Sequence, residues 1–295
     1  MNDRPRIVVT GAAGFIGRRV ATRLAAGVDV IALDRAPDPG GWPAGVEYRQ
    51  SDLDREMPGF KGNWMLVHLA WSLDRGHVEA QQESLRTFAR LLGQAGLMGV
   101  VGLGSAEEYG ELEGRLSEDM APGLRLSAYG QAKHEACRAL RAWADERGRK
   151  ALWLRPFVVY GPEQGGTMAI PYALRCARER NSADFSEGLQ FRDFVHVADV
   201  AEGIAQATLG LLAMKPPFAV CNLGRGEPVR LRDVLERIAD QTNARELFRF
   251  GARPMRPGEP QEQYAETSVA ADLFDWHAKI SWKQGIDALC REPGR

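Results

Sequence analysis

Short apolar, β-branched runs alternate with longer stretches of helical periodicity through the first half of the chain. Ile7-Val8-Val9 is the first such run, and Thr10-Gly11-Ala12-Ala13-Gly14-Phe15-Ile16-Gly17 and a helical pattern reaching residue 26 follow it at once. Further strands are predicted at 28–33, near 46–48, at 65–70 and at 100–103. Crossing helices are predicted over 78–94 and, behind a Ser127 N-cap, over 127–147. This alternation predicts an α/β fold, a doubly wound parallel sheet. The pattern changes after Pro162. A loop at 163–167 and a helix over 170–180 lead into short strands and helices among Pro-rich turns at 216–217 and 254–260, which puts a domain boundary near residue 162.

Composition narrows the class of protein. The chain has 295 residues, 44% hydrophobic and 26% charged, with a formal net charge of −1, so it has the make-up of a soluble globular protein and gives no reason to expect nucleic acid as a partner. No apolar run reaches membrane-spanning length, and the residues before Ile7 leave no room for a signal peptide. The four cysteines, Cys137, Cys176, Cys221 and Cys290, are scattered without metal-binding spacing. They read as thiols in a reducing compartment, so a cytoplasmic protein without a metal site is expected.

The first strand, the glycine loop and the helix behind it carry the first chemical signal. Backbone N–H groups at a helix N-terminus favour a pyrophosphate. Gly11 suits the tight turn, Gly14 lets phosphate approach the backbone, and Gly17 lets helix and strand pack closely. Gly11, Ala13, Gly14, Phe15, Ile16 and Gly17 are therefore the expected phosphate cradle of a dinucleotide, in a G-x-x-G-x-x-G variant of the commonest spacing. Asp34 ends the second strand, where an acid hydrogen-bonds ribose hydroxyls and repels a 2′-phosphate, favouring NAD over NADP. Arg35 blurs that preference, because Arg18, Arg19 and Arg35 together offer an alternative phosphate site. Asp52 and Leu53 stand where an acid and an apolar residue border an adenine ring.

Tyr129 and Lys133 are four residues apart on a predicted helix, so their side chains share one face. A free tyrosine has a pKa of about 10, and lowering it by about three units takes ~4 kcal/mol of differential stabilisation. A fixed cation beside the phenol is the expected source.

Six segments occur in one order: Thr10 to Gly17, His68-Leu69-Ala70, Ser105 with Tyr109-Gly110, Tyr129 with Lys133, Leu154-Arg155-Pro156-Phe157 with Tyr160-Gly161-Pro162, and Arg192-Asp193-Phe194-Val195-His196-Val197-Ala198-Asp199-Val200. Together they resemble the extended short-chain dehydrogenase/reductases, specifically the NAD-dependent nucleotide-sugar epimerase/dehydratase group, over nearly the whole chain. The resemblance implies a Rossmann-like NAD domain over 1–162, a smaller C-terminal α/β substrate lobe over 163–295, and a helix near 199–212 that returns to the first domain. It implies Ser105, Tyr129 and Lys133 as the catalytic triad and adds Leu69 and Ala70 to the cofactor site. Tyr129 would be the general acid/base, Lys133 would hold the nicotinamide ribose, and Ser105 would orient the substrate oxygen. Glu107 matches the position of the glutamate that acts at C5 in the family's 4,6-dehydratases, but Ala106 replaces the acid that often precedes it.

The same resemblance places a sugar nucleotide's diphosphate against Arg192 and Arg256, whose planar forks suit phosphate. Three family asparagines are replaced, at Ser84, Val158 and Met168, and Trp71 follows His68-Leu69-Ala70 where a small residue is common. The expected activity is NAD-dependent hydride transfer at C4 of a nucleotide-linked sugar, as a 4-epimerase or 4-ketoreductase. The alternatives are a 4,6-dehydratase using Glu107, an enzyme acting on a non-nucleotide substrate, and, most remotely, a dinucleotide-binding protein without catalysis. A homodimer built on the helices over 78–94 and 127–147 is also implied.

Overall fold

A computed structural model describes residues 6–165 and 168–292. The predicted loop residues Gly166 and Thr167, and the chain before Arg6, lie outside the described residues. Seven parallel strands form the central sheet: β1 (Arg6–Thr10), β2 (Val30–Asp34), β3 (Val46–Gln50), β4 (Trp64–His68), β5 (Leu97–Leu103), β6 (Lys150–Pro156) and β7 (Phe218–Leu223). Their order is β7-β6-β5-β4-β1-β2-β3, so the chain winds outward from β1 in one direction and then reverses. A Rossmann-like sheet opens a crevice at that reversal, beyond the carboxyl ends of β1 and β4.

Helices cover both faces, as the near-continuous apolar strands require. On one face α1 (Gly17–Leu24) and α5 (Val197–Gly210) pack on Val9, Val67, Leu152 and Leu223. On the other, α2 (Val78–Leu92) and α3 (Ala128–Arg147) pack on Val8, Leu66, Val100 and Trp153. Ser127 caps α3 as expected, accepting the Gly130 N–H, and Gly148 ends it in the left-handed region at φ 59°. Among the described residues, no helix is long and apolar enough to cross a membrane.

The expected lobe over 163–295 is interrupted twice. Helix α5 packs on the central sheet. Strand β7 joins that sheet, pairing with β6 from Phe218 against Ala151 to Leu223 against Pro156. The sequence at 218–223 is a short, largely apolar run, and nothing local in it distinguishes a sheet edge from a lobe strand. The lobe proper has its own core, in which α4 (Ala169–Glu179), α6 (Leu231–Gln241) and α7 (Trp282–Arg291) enclose Ile170, Leu174, Ile238 and Ile286. A small sheet joins the lobe to the first domain: Phe191–Arg192 pairs with Val229–Arg230 and Glu262–Ala265, and the last pairs with Gly114–Leu116.

Candidate active site

The glycine loop is shaped by exclusion. Gly11 has φ +68°, and a Cβ there would meet the Ala70 nitrogen at 2.7 Å; one on Gly17 would meet the Gly11 carbonyl oxygen at 2.0 Å. The loop thus needs glycine at both positions, for turn and for packing. Thr10 fixes the neighbouring strand end: its hydroxyl lies 2.8 Å from His68 Nδ1 and accepts the Leu69 and Ala70 N–H groups at 3.2 and 3.3 Å. His68 is buried, which pushes its pKa down to about 3, so it stays neutral.

One cavity of about 1580 Å³ runs from this loop to the lobe. Gly11, Gly14, Phe15, Ile16 and Gly17 line one end with Asp34, Arg35, Asp52 and Leu53; Leu69, Ala70, Ser105, Glu107, Tyr129 and Lys133 line its middle, and Arg192 and Arg256 its far end. Ala13 is the exception among the expected cradle residues. It braces the loop from behind, its N–H donating to Asp34 Oδ2 at 2.9 Å, while Asp34 Oδ1 accepts from Ala36 N at 3.0 Å. The alternative phosphate site loses two of its three arginines. Arg18 donates to the Gly40 carbonyl and lies over Trp42, and Arg19 donates to the Phe15 and Pro162 carbonyls.

Tyr129 and Lys133 emerge from the first turns of α3, 7% and 2% exposed. Their electrostatics differ from the expectation that Lys133 depresses the phenol. Burial pushes Tyr129 up to about 12, with Arg75 and a hydrogen bond from Ser105 acting against that rise. Burial likewise pushes Lys133 down to about 7. The ammonium faces elsewhere, donating to the Leu103 carbonyl at 2.6 Å and lying 3.8 Å from the Trp71 ring centroid. Trp71 is held by its indole N–H, which donates to Gln81 at 2.8 Å.

Ser105 caps a short turn, Ala106–Tyr109, by accepting the Glu107 N–H at 3.1 Å. Its own N–H donates at 2.9 Å to Glu108, whose carboxylate also accepts from Trp153 Nε1 and Arg155 Nε. Read as sequence, Glu108 is an ordinary loop acid; here it is 1% exposed. Nothing local signals this, because Trp153 and Arg155 arrive from β6. Glu107 turns the other way, ion-paired with Arg75 and accepting the Ser127 hydroxyl at 2.8 Å.

In the lobe, Arg192 donates to Glu259 at 2.8 Å and to the Phe191 carbonyl at 2.7 Å. Its neighbour Asp193 is buried and accepts the Arg225, Gly226 and Ala265 N–H groups at 2.8, 2.8 and 3.1 Å, so the acid of this motif ties three segments together. Of the replaced asparagines, Ser84 accepts the Ser72 N–H at 3.1 Å and anchors the loop after β4, while Val158 and Met168 present apolar groups to the cavity. Among the described residues, no group of His, Cys, Asp or Glu is arranged to hold a metal.

A reversed parallel sheet with a glycine-bounded crevice at its switch point, continuous with a second lobe, defines a dinucleotide-dependent enzyme of the extended short-chain dehydrogenase/reductase type. The chain belongs to the NAD dependent epimerase/dehydratase family, whose model matches residues 7–216. It is similar to a UDP-glucose 4-epimerase of Azospirillum brasilense, 27% identical over 98% of this chain and 95% of that one. It is also similar to a GDP-6-deoxy-D-mannose reductase of Pseudomonas aeruginosa, 28% identical over 96% and 95%. Among solved structures it resembles MoeE5 in complex with UDP-glucose and NAD, with a TM-score of 0.84 and 29% identity over 97% of each chain. The protein is an NAD-dependent enzyme.

Proposed function

We propose that this enzyme transfers hydride at C4 of a nucleotide-linked sugar, as a 4-epimerase or a 4-ketoreductase. The observation that carries the reading is the single cavity joining the glycine loop, the Ser105, Tyr129 and Lys133 cluster, and the two lobe arginines. Residues fit for a dinucleotide and residues fit for a second diphosphate stand at opposite ends, with an acid/base group between them. The ligands in that MoeE5 complex, UDP-glucose and NAD, match that division.

NAD would lie with its pyrophosphate on the Gly11 to Gly17 loop, a ribose on Asp34, its adenine by Asp52 and Leu53, and its second ribose by Tyr129 and Lys133. When bound, it supplies the hydride acceptor and donor and a positively charged ring. Tyr129 moves the proton of the sugar hydroxyl or ketone oxygen, and Ser105 hydrogen-bonds the same oxygen. Arg192 and Arg256 take the diphosphate, for which Arg192 exchanges its Glu259 partner. Glu107 pairs with Arg75 and accepts the Ser127 hydroxyl, so the alternative, a dehydratase using Glu107, requires that carboxylate to act from within these contacts. Helices α2 and α3 pack side by side on one face of the sheet, and a second copy would pair there as a homodimer.

A thermal-shift screen of the NAD-loaded protein against UDP- and GDP-sugars tests the substrate class, since a ligand that binds only the folded state raises the melting temperature. No shift with any of them would remove the sugar-nucleotide reading. With a binding sugar nucleotide, product mass divides the reactions: unchanged for epimerisation, a gain of two hydrogens for reduction, a loss of water for dehydration. Light scattering that shows a monomer would remove the dimer.

A further inference from the structure

Arg75 stands on the loop between β4 and α2, outside every motif of the sequence. Its guanidinium carbon lies 4.9 Å from the centroid of the Tyr129 ring, closer than the Lys133 ammonium at 5.7 Å. The two cations also differ in kind. Lys133 is engaged by the Leu103 carbonyl and the Trp71 face, and burial brings its pKa close to neutrality. A guanidinium keeps its proton throughout the working range. Of the groups facing Tyr129, Arg75 contributes most in favour of the charged phenol; Ser105 assists by hydrogen bonding, and Glu107 and Glu108 oppose it.

Arg75 is held there by a chain of contacts that ends on the helix carrying Tyr129. One Glu107 oxygen pairs with the guanidinium, and the other accepts the Ser127 hydroxyl at 2.8 Å. Ser127 in turn accepts the Gly130 N–H at 3.0 Å as the N-cap of α3. The loop itself is braced from α2, where Gln81 donates to the Asp74 carbonyl at 2.6 Å and Ser84 accepts the Ser72 N–H at 3.1 Å.

We propose that Arg75 is the fixed cation that stabilises ionised Tyr129, and that Glu107 is the positioning residue that holds Arg75 over the ring. A phenolate spreads negative charge into its ring, so a cation over the ring face attracts it more strongly than it attracts the neutral phenol. The ionised phenol then takes the proton of a substrate hydroxyl, and the neutral phenol returns one to a ketone oxygen. Arg75 is 45% exposed, so solvent screens the attraction and a modest effect is expected. This inference rests on the reading of Tyr129 as the proton-transfer group.

The test needs no substrate. The protein has six tyrosines, and with Cζ-labelled tyrosine the resonance missing from Tyr129→Phe reports the ionisation of Tyr129 in the NAD-saturated full chain. The expected result is a titration midpoint higher in Arg75→Met than in the wild type by about half a pH unit or more. Arg75→Lys falls between the two, and serves in place of Arg75→Met should that variant not bind NAD. In a Glu107→Gln background the effect of Arg75→Met should shrink by half or more; an undiminished effect would overturn the positioning role of Glu107. Equal midpoints in wild type and Arg75→Met would overturn the role of Arg75 and leave that of Tyr129 intact. A wild-type midpoint that NAD saturation does not bring below the value of about 12 set by burial would overturn the reading of Tyr129 and with it both roles.

Discussion

Glu108 and Arg155 form an ion pair at 3.0 Å beneath the Ser105 turn, their side chains 0% and 7% exposed. Breaking a buried pair leaves an uncompensated charge, at a cost of about 3–5 kcal/mol. Glu108→Gln keeps an acceptor for the Ser105 N–H but strands the guanidinium. It should lower the unfolding free energy by about that amount in urea denaturation, whereas a loss within about 0.5 kcal/mol, as for a surface change, would contradict the burial.

Asp34 has two duties, bracing Ala13 and Ala36 and facing the cavity. Asp34→Ala should weaken NAD binding by about tenfold, as expected for the loss of a charged hydrogen bond, and should weaken NADP binding less. Calorimetric titration with both cofactors checks this. An unchanged preference between them would show that Asp34 does not select against the 2′-phosphate.

Lys133 sets a pH dependence whose sign follows from its burial. Its pKa is lowered from 10.5 to about 7 in the folded protein, so between those values the unfolded chain binds the extra proton and the contribution of this group to stability rises with pH. Lys133→Met removes that contribution. Without NAD, the stability of the wild type relative to this variant should therefore climb from about pH 7 towards pH 10. A difference that is flat across this window in urea titrations would mean that the ammonium is not buried as described.

Tyr129→Phe should reduce turnover by about 10²–10⁴-fold, the range for loss of a positioned acid/base, with NAD affinity nearly unchanged. Turnover is followed by product formation from a sugar nucleotide that binds in the thermal-shift screen. Near-normal turnover would assign the proton transfer to another group.

The sequence by itself determined the first five strands of the sheet, helices α1 to α3 and the first half of the cavity. Ile7 to Gly17 is a local signal, because one strand, one loop and one helix start must satisfy the same backbone constraints within a few residues. The helical spacing of Tyr129 and Lys133 is equally local, and so is the Ser127 cap. Only the tertiary structure decided which charges surround those groups. Arg75 reaches Tyr129 across 54 positions of chain, and Glu108 meets Arg155 across 47. It also decided that β7 closes the sheet, since pairing with β6 depends on a neighbour distant in sequence. Burial reversed the simplest electrostatic expectation for Tyr129 and Lys133: sequence gives two ionisable groups one turn apart, and the fold sets how much water each retains and which partner each faces.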